Sequence, residues 1–184
     1  MLLGACATLQ QLAALRHVDF DLAGVTAGRV AGVDLASIRS YQSLSVTEAA
    51  AIGLAVAGGH LPFEMTVHVR ALNPAENRVT AKLTRLRWSL YLQDRETIDG
   101  TVEQAVELPP GSPIVIPVVM RLDLLQFFQG SAASLVNVAL AVLGQDADPT
   151  TIRLQAVPTV ETPLGPIDYP TPITIVHRTV GGDR

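Results

Sequence analysis

Only one cysteine, Cys6, occurs in 184 residues. That excludes an internal disulfide framework and any metal site built from several thiolates. Aromatic side chains are also scarce, at 4% of the chain, so Val, Leu, Ile and Ala must fill the interior. Charged residues make up 16%, no run of one sign occurs, and the net charge is −4. A mildly acidic chain without a basic patch lacks the electrostatic footprint of a nucleic-acid binder, so no nucleic-acid partner is expected. Apolar residues, by contrast, reach 48%, too many for disorder as the main state. At single-domain length they suffice for a real core.

The chain opens Met1-Leu2-Leu3-Gly4-Ala5-Cys6. The apolar stretch before Cys6 is too short, and too poor in basic residues, for a complete signal peptide. Yet Leu3-Gly4-Ala5-Cys6 resembles a bacterial lipobox, in which a large aliphatic residue and two small ones precede the cysteine that receives lipid. A start codon placed too late would reconcile the two observations. Lipidated, Cys6 would tether the domain to a membrane at the cell envelope, on the periplasmic or outer-membrane side. The other reading of Cys6 is an incidental free thiol, in which case the protein is soluble. Residues 1–16 are expected to be a tether, 17–180 the domain and 181–184 a tail.

Along the domain, period-two alternation dominates. Val18 to Leu22 alternates strictly before Gly24 and predicts a first strand, with Val30 to Leu35 continuing the sheet after a turn at Ala27-Gly28. Ser45 and Glu48 form a capping-box pattern ahead of an alanine-rich helix, Val46 to Ala57, closed by Gly58-Gly59. Phe63 to Arg70 is the strongest strand. Phe63, Met65, Val67 and Val69 share one face, while Glu64, Thr66, His68 and Arg70 share the other. Asn73-Pro74 begins a turn in which the Asn73 amide can cap nearby backbone groups. Alternation resumes from Val79 to Leu92, but its phase slips near Thr84-Arg85, which predicts a bulge or a short break. Gln93 to Glu96 reads as a hairpin connection to a strand from Thr97 to Val106. Pro109-Pro110-Gly111 is a turn, and Ile114 to Leu122 alternates again, with Pro113 and Pro117 placing that strand at a sheet edge or at its least paired register. Asp123 can cap a short helix through Phe128, and Ser131 a second one to Leu143, too short to cross a bilayer. Ile152 to Ala156 and Ile173 to Ile175 make a closing pair joined by the loop Thr162 to Pro166. Many short strands with frequent turns and helical insertions predict a mainly β fold, an antiparallel β-sandwich.

Motifs that carry chemistry are missing. His17, His60, His68 and His177 are scattered without metal-ligand spacing, and neither a Gly-x-Ser-x-Gly elbow nor a phosphate-binding loop occurs. Asp19 with Asp21, and Glu103 with Glu107, could pair for glycosidase-type work, but a solvated strand face explains them with nothing added. Asp146-Ala147-Asp148 opens like a calcium loop and lacks its downstream glycine and glutamate. Trp88 sits among core-facing leucines, where packing is its simplest role.

The segment from Leu61 to about Ile175 resembles the late-embryogenesis-abundant group 2 proteins, also called the WHy (water stress and hypersensitive response) domain. The resemblance rests on an ordered set. An alternating strand leads into Asn73-Pro74, where the family has an Asn-Pro-Asn/Tyr turn. The hairpin from Leu83 to Gly100, the turn Pro109 to Gly111, the strand Ile114 to Leu122, the helical insertion and the proline-rich return Pro163 to Ile175 follow. Val18 to Val25 looks like the family's opening strand. Ala75 departs from the motif, with Asn77 as a displaced turn residue, and Ser37 to His60 looks like an insertion.

The resemblance implies a fibronectin- or immunoglobulin-like β-sandwich without catalysis, tied to desiccation or envelope stress; no metal or cofactor is expected, and protein partners stay unnamed. Bacterial members often stand behind lipoboxes, which agrees with a membrane contact through Cys6. An alternative role is a carrier for an apolar ligand, walled by Leu124, Leu125, Phe127, Phe128 and the helix Leu135 to Leu143.

Overall fold

The computed structural model describes residues 18–77, 79–144, 150–162 and 165–180. Two antiparallel sheets face each other across one aliphatic core. The first has the order β2-β1-β3-β7, from β1 (Asp19–Val30), β2 (Val33–Asp34), β3 (Pro62–Leu72) and β7 (Pro113–Asp123). The second follows β10-β8-β4-β5, from β4 (Ala81–Leu92), β5 (Arg95–Val102), β8 (Thr150–Thr162) and β10 (Ile173–Val180). The short strands β6 (Val106–Leu108) and β9 (Gly165–Asp168) pair with β4 and β8. The β-sandwich with helical insertions expected from the alternation is therefore the observed fold.

The alternation translates directly into burial. Phe63, Met65, Val67, Val69 and Ala71 of β3 are all buried, and Ile116, Val118, Met120 and Leu122 of β7 join them from the neighbouring strand. In β4 the register shifts between Leu83 and Arg85. The bulge restores the inward row, so that Leu83, Leu86, Trp88, Leu90 and Leu92 all point into the core. Proline placement also agrees with the sequence reading: β7 is the outermost strand of its sheet, with Pro117 opposite His68 and Pro113 opposite Leu72.

Four local expectations need correction. Ala27-Gly28 is not a turn but lies inside β1, at a register irregularity between Thr26 and Arg29. Glycine in a strand marks a bulge as readily as a turn. The reversal comes instead at Ala31-Gly32, whose positive φ values of 48° and 81° suit a two-residue hairpin. The second hairpin uses only Gln93 and Asp94, again both at positive φ (51° and 59°), with Arg95 already on β5. The strand expected to run from Thr97 to Val106 breaks after Val102 and resumes as β6. The loop expected from Thr162 to Pro166 is shortened by β9, which folds back along β8.

The helices are α1 (Val46–Ala57), α2 (Leu124–Phe127) and α3 (Ala132–Val142), with a 3-10 turn at Tyr41–Ser43. Ser45 and Glu48 form the reciprocal cap of α1, and Ser131 and Ser134 that of α3. The two helices are used differently. From α3, Leu135, Val136, Ala139, Leu140, Ala141 and Val142 are buried, so it helps to seal the core. From α1 only Ile52 is buried, while Val46 and Leu54 are exposed. Residues 1–17, the Asp146–Asp148 segment, Pro163-Leu164 and the tail lie outside the described residues.

Packing around the single indole yields a test. A Cβ built on Gly100, opposite Trp88 on β5, would stand 2.4 Å from Trp88 Cζ2 and 2.8 Å from Cε2. The buried ring cannot yield as a flexible chain end could. Gly100→Ala is expected to lower stability by about 1–3 kcal/mol, read from the urea midpoint by tryptophan fluorescence. Gly24→Ala, where a Cβ meets nothing within 4 Å, should change stability by under about 0.5 kcal/mol.

Candidate functional site

The residues marked by the turn motif converge on one buried amide. Asn73 is fully buried. Its Nδ2 donates to the carbonyls of Val79 at 3.0 Å and Leu108 at 2.8 Å, and its Oδ1 accepts from Asn77 Nδ2 at 2.6 Å. Its main-chain oxygen accepts from the Gly111 amide at 2.7 Å, beside an isolated bridge to Pro110. Pro74 completes the turn by accepting the Asn77 amide at 3.0 Å. The side chain thus ties the turn after β3 to β6, and the main-chain oxygen of the same residue ties it to the turn before β7. The arrangement uses both amide hydrogens for structure and leaves Asn73 no exposed face for a ligand.

The candidate acids and histidines are spread over the sheet faces and the turns beside them, and several pair with a neighbouring strand. Asp21 accepts Arg70 Nη2 at 2.7 Å, Glu64 accepts Arg121 Nε at 2.9 Å, and Glu103 stands 3.4 Å from Arg85. Lys82 bridges to Glu161, which holds the Lys82 ammonium above its ordinary pKa, and Glu107 lies opposite Lys82 on β6. Arg87 reaches Asp168 at 2.7 Å. His68 Nε2 lies 2.8 Å from Thr26 Oγ1. Among the described residues, no group of three or more His, Cys, Asp or Glu side chains is placed to hold a metal ion. Cys6, His17 and Asp146 with Asp148 fall outside those residues, as does the side chain of His177. Asp19 lies near Tyr169, whose phenol burial pushes up to about 12, with Asp19 adding to the shift. That hydroxyl is buried without a hydrogen-bond partner among the described residues, and its ring meets Phe20 edge-on at 6.5 Å.

Asp123 has a wider role than the cap its position suggested. Oδ1 accepts the Leu125 amide at 3.0 Å, capping α2, and also the Leu61 amide at 2.9 Å. Oδ2 lies 3.0 Å from His60 Nδ1. The carboxylate therefore joins the chain leaving α1 to the end of β7. Partial burial pushes its pKa up, but the Leu61 amide, the His60 ring and the Leu125 amide outweigh that and hold it below the ordinary aspartate value.

The residues proposed to wall an apolar pocket are divided by the structure. Leu124 is fully buried in the core and takes no part in a cavity wall. Phe127, Phe128 and Leu135, with Leu125 and Val138, line an open cleft of about 560 Å³ between the β4–β5 turn and helices α2 and α3. The rest of the lining is polar: Gln93 and Arg95 from the hairpin, Gln126 from α2 and Gln129 just after it, Ser134 and Asn137 from α3. Sequence reasoning missed these six, because a glutamine in a turn and an asparagine in an apolar helix carry no local signal of convergence. Among the described residues, no helix is long and apolar enough to cross a membrane.

No family model matches the chain, and no curated protein matches it. Among the solved structures similar to it are the following two. One is a protein from Archaeoglobus fulgidus, at 15% identity and a TM-score of 0.40, with 67% of this chain and 87% of that one covered. The other is the solution structure of a candidate late embryogenesis abundant (LEA) protein, at 12% identity and a TM-score of 0.44, with 96% of this chain and 79% of that one covered.

The buried amide and the part-buried carboxylate can each be tested by substitution. Asn73→Ala leaves the Val79 and Leu108 carbonyls without their donor and should cost about 2–4 kcal/mol; Asn73→Asp should cost more, because it sets acceptor against acceptor. Both are measured by chemical denaturation. A carboxyl whose pKa is lowered by folding stabilises the fold above its unfolded pKa and loses that contribution as pH falls through the folded value. Stability of the wild type should thus fall as pH drops from the ordinary aspartate value of 3.8. Asp123→Asn should flatten that part of the profile.

Proposed function

We propose that this chain is a non-catalytic, lipid-anchored extracytoplasmic module of the WHy/LEA type 2 kind, serving under desiccation or envelope stress. The observation that carries it is where the charge goes. Of the acids that could have formed a reactive pair, Asp21 and Glu103 are each taken by an arginine on another strand, as Glu64, Glu161 and Asp168 are by a cation on another strand. Such ladders gain strength as water leaves, since attraction between opposite charges rises when the surrounding dielectric falls. Burial of aliphatic side chains needs water to drive it. A sandwich carrying both therefore keeps a restraint on its strands as it dries. The Leu3-Gly4-Ala5-Cys6 sequence supports the anchor, and the ordered turn residues around Asn73 support the family resemblance.

A second reading, a ligand-binding module, is favoured by the cleft over α2 and α3, whose mixed lining suits an amphipathic guest better than the wholly apolar one expected from the helices alone.

Expressed from its genomic context, the mature protein should carry acyl chains on Cys6 by intact mass and enter the detergent phase on partitioning. Cys6→Ser should move it to the aqueous phase. Identical partitioning of the two would remove the anchor.

A further inference from the structure

We propose that the cleft between the β4–β5 turn and helices α2 and α3 binds a ligand with an apolar body, an amide group and a carboxylate, the chemistry shared by a peptide C-terminus and a free N-acyl amino acid. The proposal rests on the second reading above, that the cleft is a binding site.

Three features of the lining select this chemistry. The first is charge. The chain carries 17 acidic residues against 13 basic ones, yet no Asp or Glu lines this cleft and Arg95 does. Arg95 is exposed, and its side chain makes no ion pair among the described residues, whereas Arg70, Arg87 and Arg121 are all matched. The site thus tolerates an anion and offers a planar cation suited to a carboxylate.

The second is hydrogen bonding. Gln93, Gln126, Gln129 and Asn137 bring four carboxamides to the lining, and none has a side-chain hydrogen bond within the described residues. Each offers donor and acceptor together, which matches an amide better than a purely charged or purely apolar guest. The third is the floor. Phe127, Phe128 and Val138 are half-buried, leaving apolar surface for the ligand's body. The opening, about 560 Å³, falls in the range of small-molecule sites.

The local backbone holds Arg95 and Gln93 in place. Gln93 and Asp94 adopt positive φ without glycine, a strained choice that persists only when its surroundings fix it. Here the Gln93 amide donates to the Thr151 carbonyl at 2.8 Å, and the Arg95 carbonyl accepts from Thr97 Oγ1 at 3.0 Å.

The test is a titration of the full 15N-labelled chain, followed by backbone amide shifts. The probes are N-acetyl-phenylalanine, a six-residue peptide ending in Leu-Phe with a free carboxylate, and the same peptide amidated at its C-terminus. The free acids should shift the amides of Gln93, Arg95, Phe127 and Phe128. Amidation and Arg95→Gln should each weaken binding about tenfold, and together by little more than either alone, since both remove the same charge-assisted contact. Val138→Trp, which fills the cleft, should abolish the shifts while leaving the far-UV CD spectrum unchanged. Tighter binding of the peptide than of N-acetyl-phenylalanine assigns the site to chain termini, and equal binding to free small acids. Equal affinity for acid and amide would overturn the carboxylate assignment alone. Absence of shifts at all four amides up to about 10 mM of each probe, weaker than any affinity of use here, would overturn the site itself.

Discussion

The interior is almost entirely aliphatic, and the rest of the structure follows from that constraint. Branched and straight carbon chains are too small to bridge two sheets with a few large rings, so every strand must contribute a complete inward row. β3 and β7 supply theirs in register, and β4 inserts a bulge to keep its own row intact past Leu83. Even so, the sheets alone do not close the core. α3 adds six buried side chains to seal it, and the lone indole fits only because Gly100 leaves room opposite it. A core of small parts demands complete coverage.

Much of this was legible because burial has a period. The inward faces of β3, β4 and β7, the slip at Thr84-Arg85 and the caps of all three helices can be read from residue order alone, whereas the edge position of the proline-bearing strand was one of two readings until pairing decided it. What escaped depends on contacts between distant segments. Ala27-Gly28 carries the same local signal whether it turns or bulges, and only pairing with β3 decides. The two-residue turn at Gln93-Asp94 has no glycine to announce it. Asp123 was legible as a cap, but its bonds to Leu61 and His60, some sixty residues earlier, were not.

The candidate sites divide along the same line. Asn73 announces itself in a proline turn, and its role is structural: a buried amide bracing three segments. The polar half of the cleft announces nothing, because its carboxamides and Arg95 come from a hairpin tip and two helices unrelated in sequence. Charged side chains on the strands, which in isolation invite catalytic readings, are instead absorbed by cross-strand pairing. Pairing of this kind is set by register, and register is set by the apolar rows beneath it.

Pro113 and Pro117 have one further effect. β7 exposes Val115 and Val119 on the rim of its sheet, the type of strand on which a second molecule could template and start a fibril. Proline has no N–H to offer an arriving chain, so two rungs of that ladder cannot form. In crowded or concentrated surroundings the molecule is thereby protected against polymerising along its own rim.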